Sequence, residues 1–175
     1  MEEEALIIVR SVKSDKMKKQ VFEEFVLEQV DLNAIEHEIF ISKLIKDKDI
    51  QREFFLSKEQ FINNDIERDE LLSNNCFVVM IENIPVGYIE TSPISNGNIS
   101  LSIGIEKTFR GNGYGTLILS GLTDNLLYRD DIDRVSAIIS NKNEASIRLF
   151  EKCGFERSED VPNCFIKTKA YKLTY

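Results

Sequence analysis

The sequence is poor in proline, glycine, cysteine and histidine. Three prolines and eight glycines in 175 residues are too few for a low-complexity chain, and no internal repeat is visible. No run reaches the about 18 apolar residues that a membrane-spanning helix needs, so none is expected. The first residues, Met1 to Glu4, are acidic and no signal-peptide core follows them. Cys76, Cys153 and Cys164 are odd in number and lack metal-ligand spacing; without a secretion signal they are expected as reduced thiols in the cytoplasm, with no metal bound. His37 is the one histidine. It lies on a helical segment with no serine or cysteine partner in view, so an ordinary surface or core role is expected. Positive charge is also in deficit. Lys and Arg number 22 against 30 Asp and Glu, a net charge of −8, which argues against nucleic acid as the main partner. The excess serves solubility or draws in a cationic amine.

What is present is the composition of a soluble globular protein, 42% apolar and 30% charged, with length for one domain and its core. The chain is organised around Ile99 to Gly115. Ile99, Leu101, Ile103 and Ile105 stand two apart and line one face of a strand whose other face is small and polar. Arg110-Gly111-Asn112-Gly113-Tyr114-Gly115 then breaks the strand, and Thr116 to Leu127 reads as a helix. Alternating glycines leave the backbone bare and free to take φ > 0. Such a turn at a helix start presents unpaired N–H groups at the positive end of the helix dipole, where a phosphate or diphosphate is stable. Two phosphate motifs fit poorly. In G-x-G-x-x-G the third glycine would fall one residue later than Gly115, and the Gly-Lys-Ser/Thr of a P-loop is absent.

A second stretch runs from Asn141 to Phe155, through Asn143, Ser146, Phe150, Gly154 and Phe155. Taken together, the two stretches resemble the GCN5-related N-acetyltransferases, the GNAT superfamily. Arg110-x-x-Gly113-x-Gly115 matches the family's acetyl-CoA motif. Asn143-x-x-Ser146-x-x-x-Phe150-x-x-x-Gly154-Phe155 matches its second motif, with Phe150 where tyrosine is usual. The likeness covers about Phe77 to Phe155. It implies an α/β fold with a mixed, mostly antiparallel sheet, helices on both faces, and the cofactor between two splayed central strands.

In chain order, Ala5 to Arg10 is expected as a first strand. A helix from Ser14 to about Val30 carries Val21, Phe22, Phe25, Val26 and Leu27, and another runs from Asp31 or Asn33 through Ile45. Ser57 to Gln60 resembles a capping box opening a helix to about Asn74. Phe77–Ile81 and Val86–Thr91 read as two strands of a meander that ends at Glu106. Val135–Ile139 is a further strand, with Ala137, Ile138 and Ile139 suggesting burial on both faces. Strand, helix, strand in this order implies a parallel crossover. Gly154 is a natural C-cap, Cys153 a packing residue, and two antiparallel strands close the chain. Residues 1–175 thus form one GNAT-like domain, with a helical acceptor-side block over about 12–75 and an acetyl-CoA-binding core over about 76–155.

By the resemblance, an amine attacks the thioester of acetyl-CoA directly. A primary amine of pKa about 10.4 is almost wholly protonated at pH 7, so its proton must be removed. Glu90, on the strand beside the central one, is the carboxylate nearest in sequence for a general base; a water chain is the alternative. The thioester oxygen needs a backbone N–H, supplied in relatives near Ile103, Gly104 and Ile105. Arg110, Gly111, Asn112, Gly113, Tyr114 and Gly115 would receive the diphosphate, Asn143 the pantetheine arm, and Phe150 would pack beside the thiol. Arg110, Lys142, Arg148 and Lys152 cluster around the motifs and could meet the phosphates. Phe150 cannot protonate the departing thiolate. The alternatives are an acyl-CoA-binding regulatory module weakened in catalysis and a nucleotide-binding protein of another class. The acceptor is expected to be an amine-bearing small molecule or peptide, with no nucleic acid or membrane partner. Closing strands in this fold often meet a second subunit, giving a homodimer.

Overall fold

The computed structural model describes residues 7–10, 24–31, 34–53 and 76–168. Among these residues, eight strands form one open sheet: β1 (Ile7–Arg10), β2 (Glu24–Gln29), β3 (Cys76–Ile81), β4 (Ile84–Thr91), β5 (Asn98–Ile105), β6 (Arg134–Ile138), β7 (Glu156–Arg157) and β8 (Cys164–Thr168). Their order is β1-β2-β3-β4-β5-β6-β8-β7. Among the described residues only β5 and β6 pair in parallel. The α-helices among the described residues are α1 (Ile35–Ile45), α2 (Lys48–Glu53), α3 (Tyr114–Tyr128) and α4 (Glu144–Lys152). The α/β class and the mixed, mostly antiparallel sheet are as expected.

Each face of the sheet has its own core. Period-two alternation sends Phe25, Leu27, Ile89, Ile99, Leu101 and Val135 to the α3–α4 side, where they meet Ile118, Leu119, Leu122 and Phe150. On the other face Cys76, Val78 and Tyr88 pack against Phe40, Ile41 and Leu44 of α1 and Ile50 of α2. Burying side chains of this size stabilises the domain by about 1.5–3 kcal/mol each before entropy is counted. The hairpin between β3 and β4 turns on Glu82 and Asn83, both at positive φ.

Two expectations are corrected. The helix predicted from Ser14 to Val30 is, over Glu24–Gln29, the strand β2, paired with β1 and β3. Phe25 and Leu27 are fully buried two apart, and it is this alternation, not a helical stripe, that the fold uses. Ala137 on β6 and Ile139 just beyond it are buried, but Ile138 at the end of β6 is 74% exposed, so that end of the strand is not covered on both faces. The helix predicted over Ser57–Asn74 lies outside the described residues, as do Tyr171, Leu173 and Tyr175. His37 is buried. Its Nδ1 accepts the Asp31 N–H at 3.1 Å, which leaves Nε2 to donate to Glu28 Oε2 at 3.1 Å: a satisfied core histidine.

Candidate active site: a parted strand pair and a glycine turn

The parallel strands β5 and β6 pair over only three rungs, Asn98 with Arg134, Ile99 with Val135 and Ser100 with Ser136. At the last rung the two serine hydroxyls share a hydrogen bond of 2.8 Å. Beyond it the strands diverge, β5 staying with β4 and β6 with β8. Antiparallel pairing alternates the direction of backbone groups. Ser100 accepts from the Ser92 N–H and Glu106 donates to Val86, so the even residues of β5 face β4. The backbone of Leu101, Ile103 and Ile105 therefore turns toward β6 and the gap, where the Ile105 carbonyl is taken by Arg110 Nε at 2.8 Å. Leu101, Ser102, Ile103, Ala137, Ile138 and Phe150 line the gap, a cleft of about 290 Å³ that includes open solvent. The exposed Ile138 side chain forms one wall. Gly104 faces β4, and its carbonyl lies so near Gly87 that a Cβ there would stand 2.9 Å from it.

The glycine turn stands at the open end of β5. Glu106 ends the strand and caps a 3₁₀ turn over Lys107–Phe109, accepting from the Thr108 N–H at 2.9 Å and from the Thr108 hydroxyl. Gly111 and Gly113 then take φ of +78° and +87°, the left-handed region that a Cβ penalises. A Cβ at Gly111 would meet nothing within 4 Å, so the bare backbone there borders open space. Gly113 is the N-cap of α3 and offers no side chain to the first-turn N–H groups. Gly115 is different: a Cβ would sit 3.2 Å from Leu149, so this glycine brings α3 close to α4. Asn112 is exposed, and Tyr114 stacks edge-on against Phe109 with centroids 5.7 Å apart.

The second motif is a helix with its start and stop signals. Asn143 Oδ1 caps α4, accepting from the Ser146 N–H at 3.0 Å. At the far end the Phe155 N–H bonds the Phe150 carbonyl and the Gly154 N–H bonds that of Glu151, with Gly154 at φ +82°. This Schellman stop carries its usual apolar contact, here Phe150 against Phe155 at 4.8 Å. It presents Phe150 and Ser146 to the cleft. Cys153, at the helix end, is buried in the core. Burial pushes its thiol up, a packing residue and not a nucleophile.

The predicted charged residues divide. Arg110 is turned from the glycine turn toward the α1–α2 connection, with contacts of 2.7 Å to Asp47 and 3.3 Å to Asp49. Arg148 pairs with Glu144 on the exposed side of α4. Lys142 and Lys152 are exposed. Glu90 pairs in register with Ser102, which lines the cleft, and with Cys76 on the other side. Burial raises its carboxyl above the ordinary range. The same low-dielectric setting pushes Cys76 up to about 11. Sequence reasoning missed Glu106. It is 4% exposed and bonded to Lys43 Nζ at 3.0 Å. Burial opposes its charge, but Thr108 and Lys43 outweigh this and hold the carboxyl below the ordinary range. No local signal marks that pairing, because Lys43 lies on α1. Among the described residues no group of His, Cys, Asp and Glu could hold a metal, and no helix is long and apolar enough to cross a membrane.

Comparison with known proteins agrees with this geometry. No curated protein sequence is significantly similar to the chain. Solved structures of several acetyltransferases share the fold. The aminoglycoside acetyltransferase AAC(6')-Ib, in complex with coenzyme A, is 18% identical, with a TM-score of 0.61 over 77% of this chain and 91% of that one. RimL, a ribosomal alpha-N-protein acetyltransferase in complex with coenzyme A, is 16% identical, with a TM-score of 0.64 over 82% and 93%. A chimera of the spermidine N-acetyltransferase SpeG from Vibrio cholerae is 17% identical, with a TM-score of 0.62 over 82% and 95%. A family model of the acetyltransferase (GNAT) domain matches residues 25–156, most of the chain, and the protein belongs to that family.

Proposed function

We propose that this protein is an N-acetyltransferase that moves the acetyl group of acetyl-CoA to a primary amine by direct attack. The parting of β5 from β6 after the Ser100–Ser136 rung carries this reading. It leaves a strand edge with backbone groups of Leu101, Ile103 and Ile105 aimed into a cleft that opens toward the glycine turn. The residues fit the cosubstrate. The turn borders open space at Gly111, and its N–H groups suit a diphosphate. The amide-bearing pantetheine arm suits an unpaired strand edge, which it extends as an added strand would.

Within that frame, Arg110 to Gly115 hold the diphosphate through their backbone, and Asn143 sets the start of α4 beside the pantetheine arm. Phe150 covers the sulfur. The N–H of Ile103 or Ile105 faces the oxygen that gains charge as the amine attacks. That of Gly104 is committed to β4. Ser102 and Ile138 flank the reacting carbon on the α1–α2 face, the acceptor side. Glu90, raised by burial and one strand from Ser102, takes the amine proton through Ser102 or a water. The departing thiolate, of pKa about 8.5, leaves without a donor at position 150 and takes a proton from water.

Phe150 also favours the second reading, an acyl-CoA-binding module weakened in catalysis. It is 2% exposed and packed on Phe155, with no proton to give. Thiol release from acetyl-CoA in the presence of polyamines, aminoglycosides and peptide N-termini tests the proposal. Release that depends on one amine class supports transfer. Tight coenzyme A binding without release by any of them supports the module.

A further inference from the structure

The motif arginine is not free to serve as a phosphate cation. Its Nε is held by the Ile105 carbonyl at 2.8 Å, and its two terminal nitrogens are held by Asp47 and Asp49. Asp47 is 15% exposed at the side chain and Asp49 72%, while Arg110 itself is 32% exposed. One guanidinium shared between two carboxylates leaves a net charge of −1 at the base of a turn built to receive an anion. Asp47 also joins the local backbone, its Oδ1 accepting the Asp49 N–H at 2.9 Å where α2 begins. The cluster thus ties the α1–α2 connection, on the acceptor side, to the cofactor turn across more than sixty residues of sequence. Lys43 and Glu106 make a second tie between α1 and the end of β5, so the block stays docked if the first is released.

We propose that Asp47 and Asp49 form a latch on Arg110, released when the diphosphate of coenzyme A occupies the turn, so that loading the cofactor loosens the α1–α2 connection beside the acceptor site. This rests on the reading that the turn binds coenzyme A. Two charges act in opposite senses there. The diphosphate attracts the guanidinium and repels both carboxylates, and the side chain of Arg110 is long enough to swing while its backbone stays in the turn. Linkage makes the effect reciprocal. Whatever the carboxylates cost in cofactor affinity, the bound cofactor returns as a weaker hold on residues 46–50.

Asparagine keeps the size of aspartate, and at position 47 it keeps the helix-capping oxygen while turning its NH₂ toward Arg110, so Asp47→Asn and Asp49→Asn remove the charge and the acceptor that hold the guanidinium. The test is calorimetric titration of coenzyme A into the wild type, both single variants and the double variant, at low and high salt. Asp49 is largely exposed, so Asp49→Asn keeps the test valid if the other variants fail to fold. Expected is tighter binding by about threefold for a single variant and about tenfold for the double at low salt, with the gain largely lost at 0.5 M salt. The affinity rises although the unliganded double variant melts at a lower temperature. A merely structural role predicts the opposite, equal or weaker binding alongside that lower melting temperature, and this result overturns the latch. Hydrogen exchange gives a second readout: coenzyme A should speed exchange at residues 46–50 in the wild type, and slower or unchanged exchange there also overturns it. No binding by the wild type would instead remove the reading of the turn.

Discussion

Glu106→Gln perturbs the point where the central strand passes into the glycine turn. The carboxylate is buried at 4% exposure and accepts from the Thr108 N–H, the Thr108 hydroxyl and Lys43 Nζ. Glutamine keeps the shape but has one acceptor oxygen and a donor group. Whichever way its amide turns, the NH₂ confronts either Lys43 or the Thr108 N–H. Hydrogen bonds to a charged group contribute about 1.5–3 kcal/mol each, and the variant is spared the cost of burying a charge, so a net loss of about 2 kcal/mol is expected. Lys43 is 60% exposed and adds little through charge alone. In a domain of this size that loss lowers the melting temperature by about 4–8 °C. The sign with pH follows from the lowered folded-state pKa. Stability from this group is complete above the unfolded pKa of about 4.3 and is lost as the pH falls through the lower folded value. Urea unfolding of both proteins, from pH 7 downward, should show a gap that is constant near neutrality and closes only in strong acid. A gap under about 0.5 kcal/mol at pH 7, or one that closes well above pH 5, would refute the reasoning.

Glu90→Gln should lower kcat by about 10²-fold or more if Glu90 is the base, and remove the acid limb of the rate profile, which lies above the ordinary glutamate range. Because the folded state raises this carboxyl, its charge costs stability as the pH rises through the folded pKa, so the same variant should melt higher than the wild type at pH 8 and equally near pH 4. An unchanged rate with the higher melting temperature would leave a water chain as the base. Phe150→Tyr puts a hydroxyl at the cleft beside the departing sulfur, and turnover should rise severalfold where chemistry limits it. No change in steady-state thiol release would show that solvent already protonates the thiolate fast enough. Gly113→Ala forces a Cβ into φ +87° and should cost about 1–2 kcal/mol in denaturant unfolding, while Ala at Gly121, within α3 and at ordinary φ, lacks that backbone penalty.

What could be read from the sequence followed from local rules. The period-two run of Ile99 to Ile105, the alternating glycines and the cap-to-cap span of Asn143 to Gly154 each encode a short piece of backbone, and each piece appears where expected. Around β2 the apolar cluster from Val21 to Leu27 is dense enough to suit a helical stripe as well as a strand. The burial of Phe25 and Leu27 two apart shows that pairing with β3, about fifty residues on, decides the outcome. Ile138 departs from its expected burial for a related reason. Its three-residue apolar run signals burial on both faces only if a helix or strand covers each, and here the strand borders the cleft. The ties of Lys43 to Glu106 and of Arg110 to Asp47 and Asp49 were invisible because ion pairs across so many residues have no periodic signature.

The central claim, that the parted strands and the glycine turn bind acetyl-CoA, is tested most directly by thermal unfolding with and without the cosubstrate, for the wild type and for Gly113→Glu. A ligand that binds only the folded state at about 100 times its Kd adds about 2.7 kcal/mol, or about 5–11 °C here. A shift of that size in the wild type, and none in a folded Gly113→Glu whose added carboxylate fills the turn, is the predicted result. An equal shift in both would place the cofactor elsewhere, and no shift in either would contradict the claim.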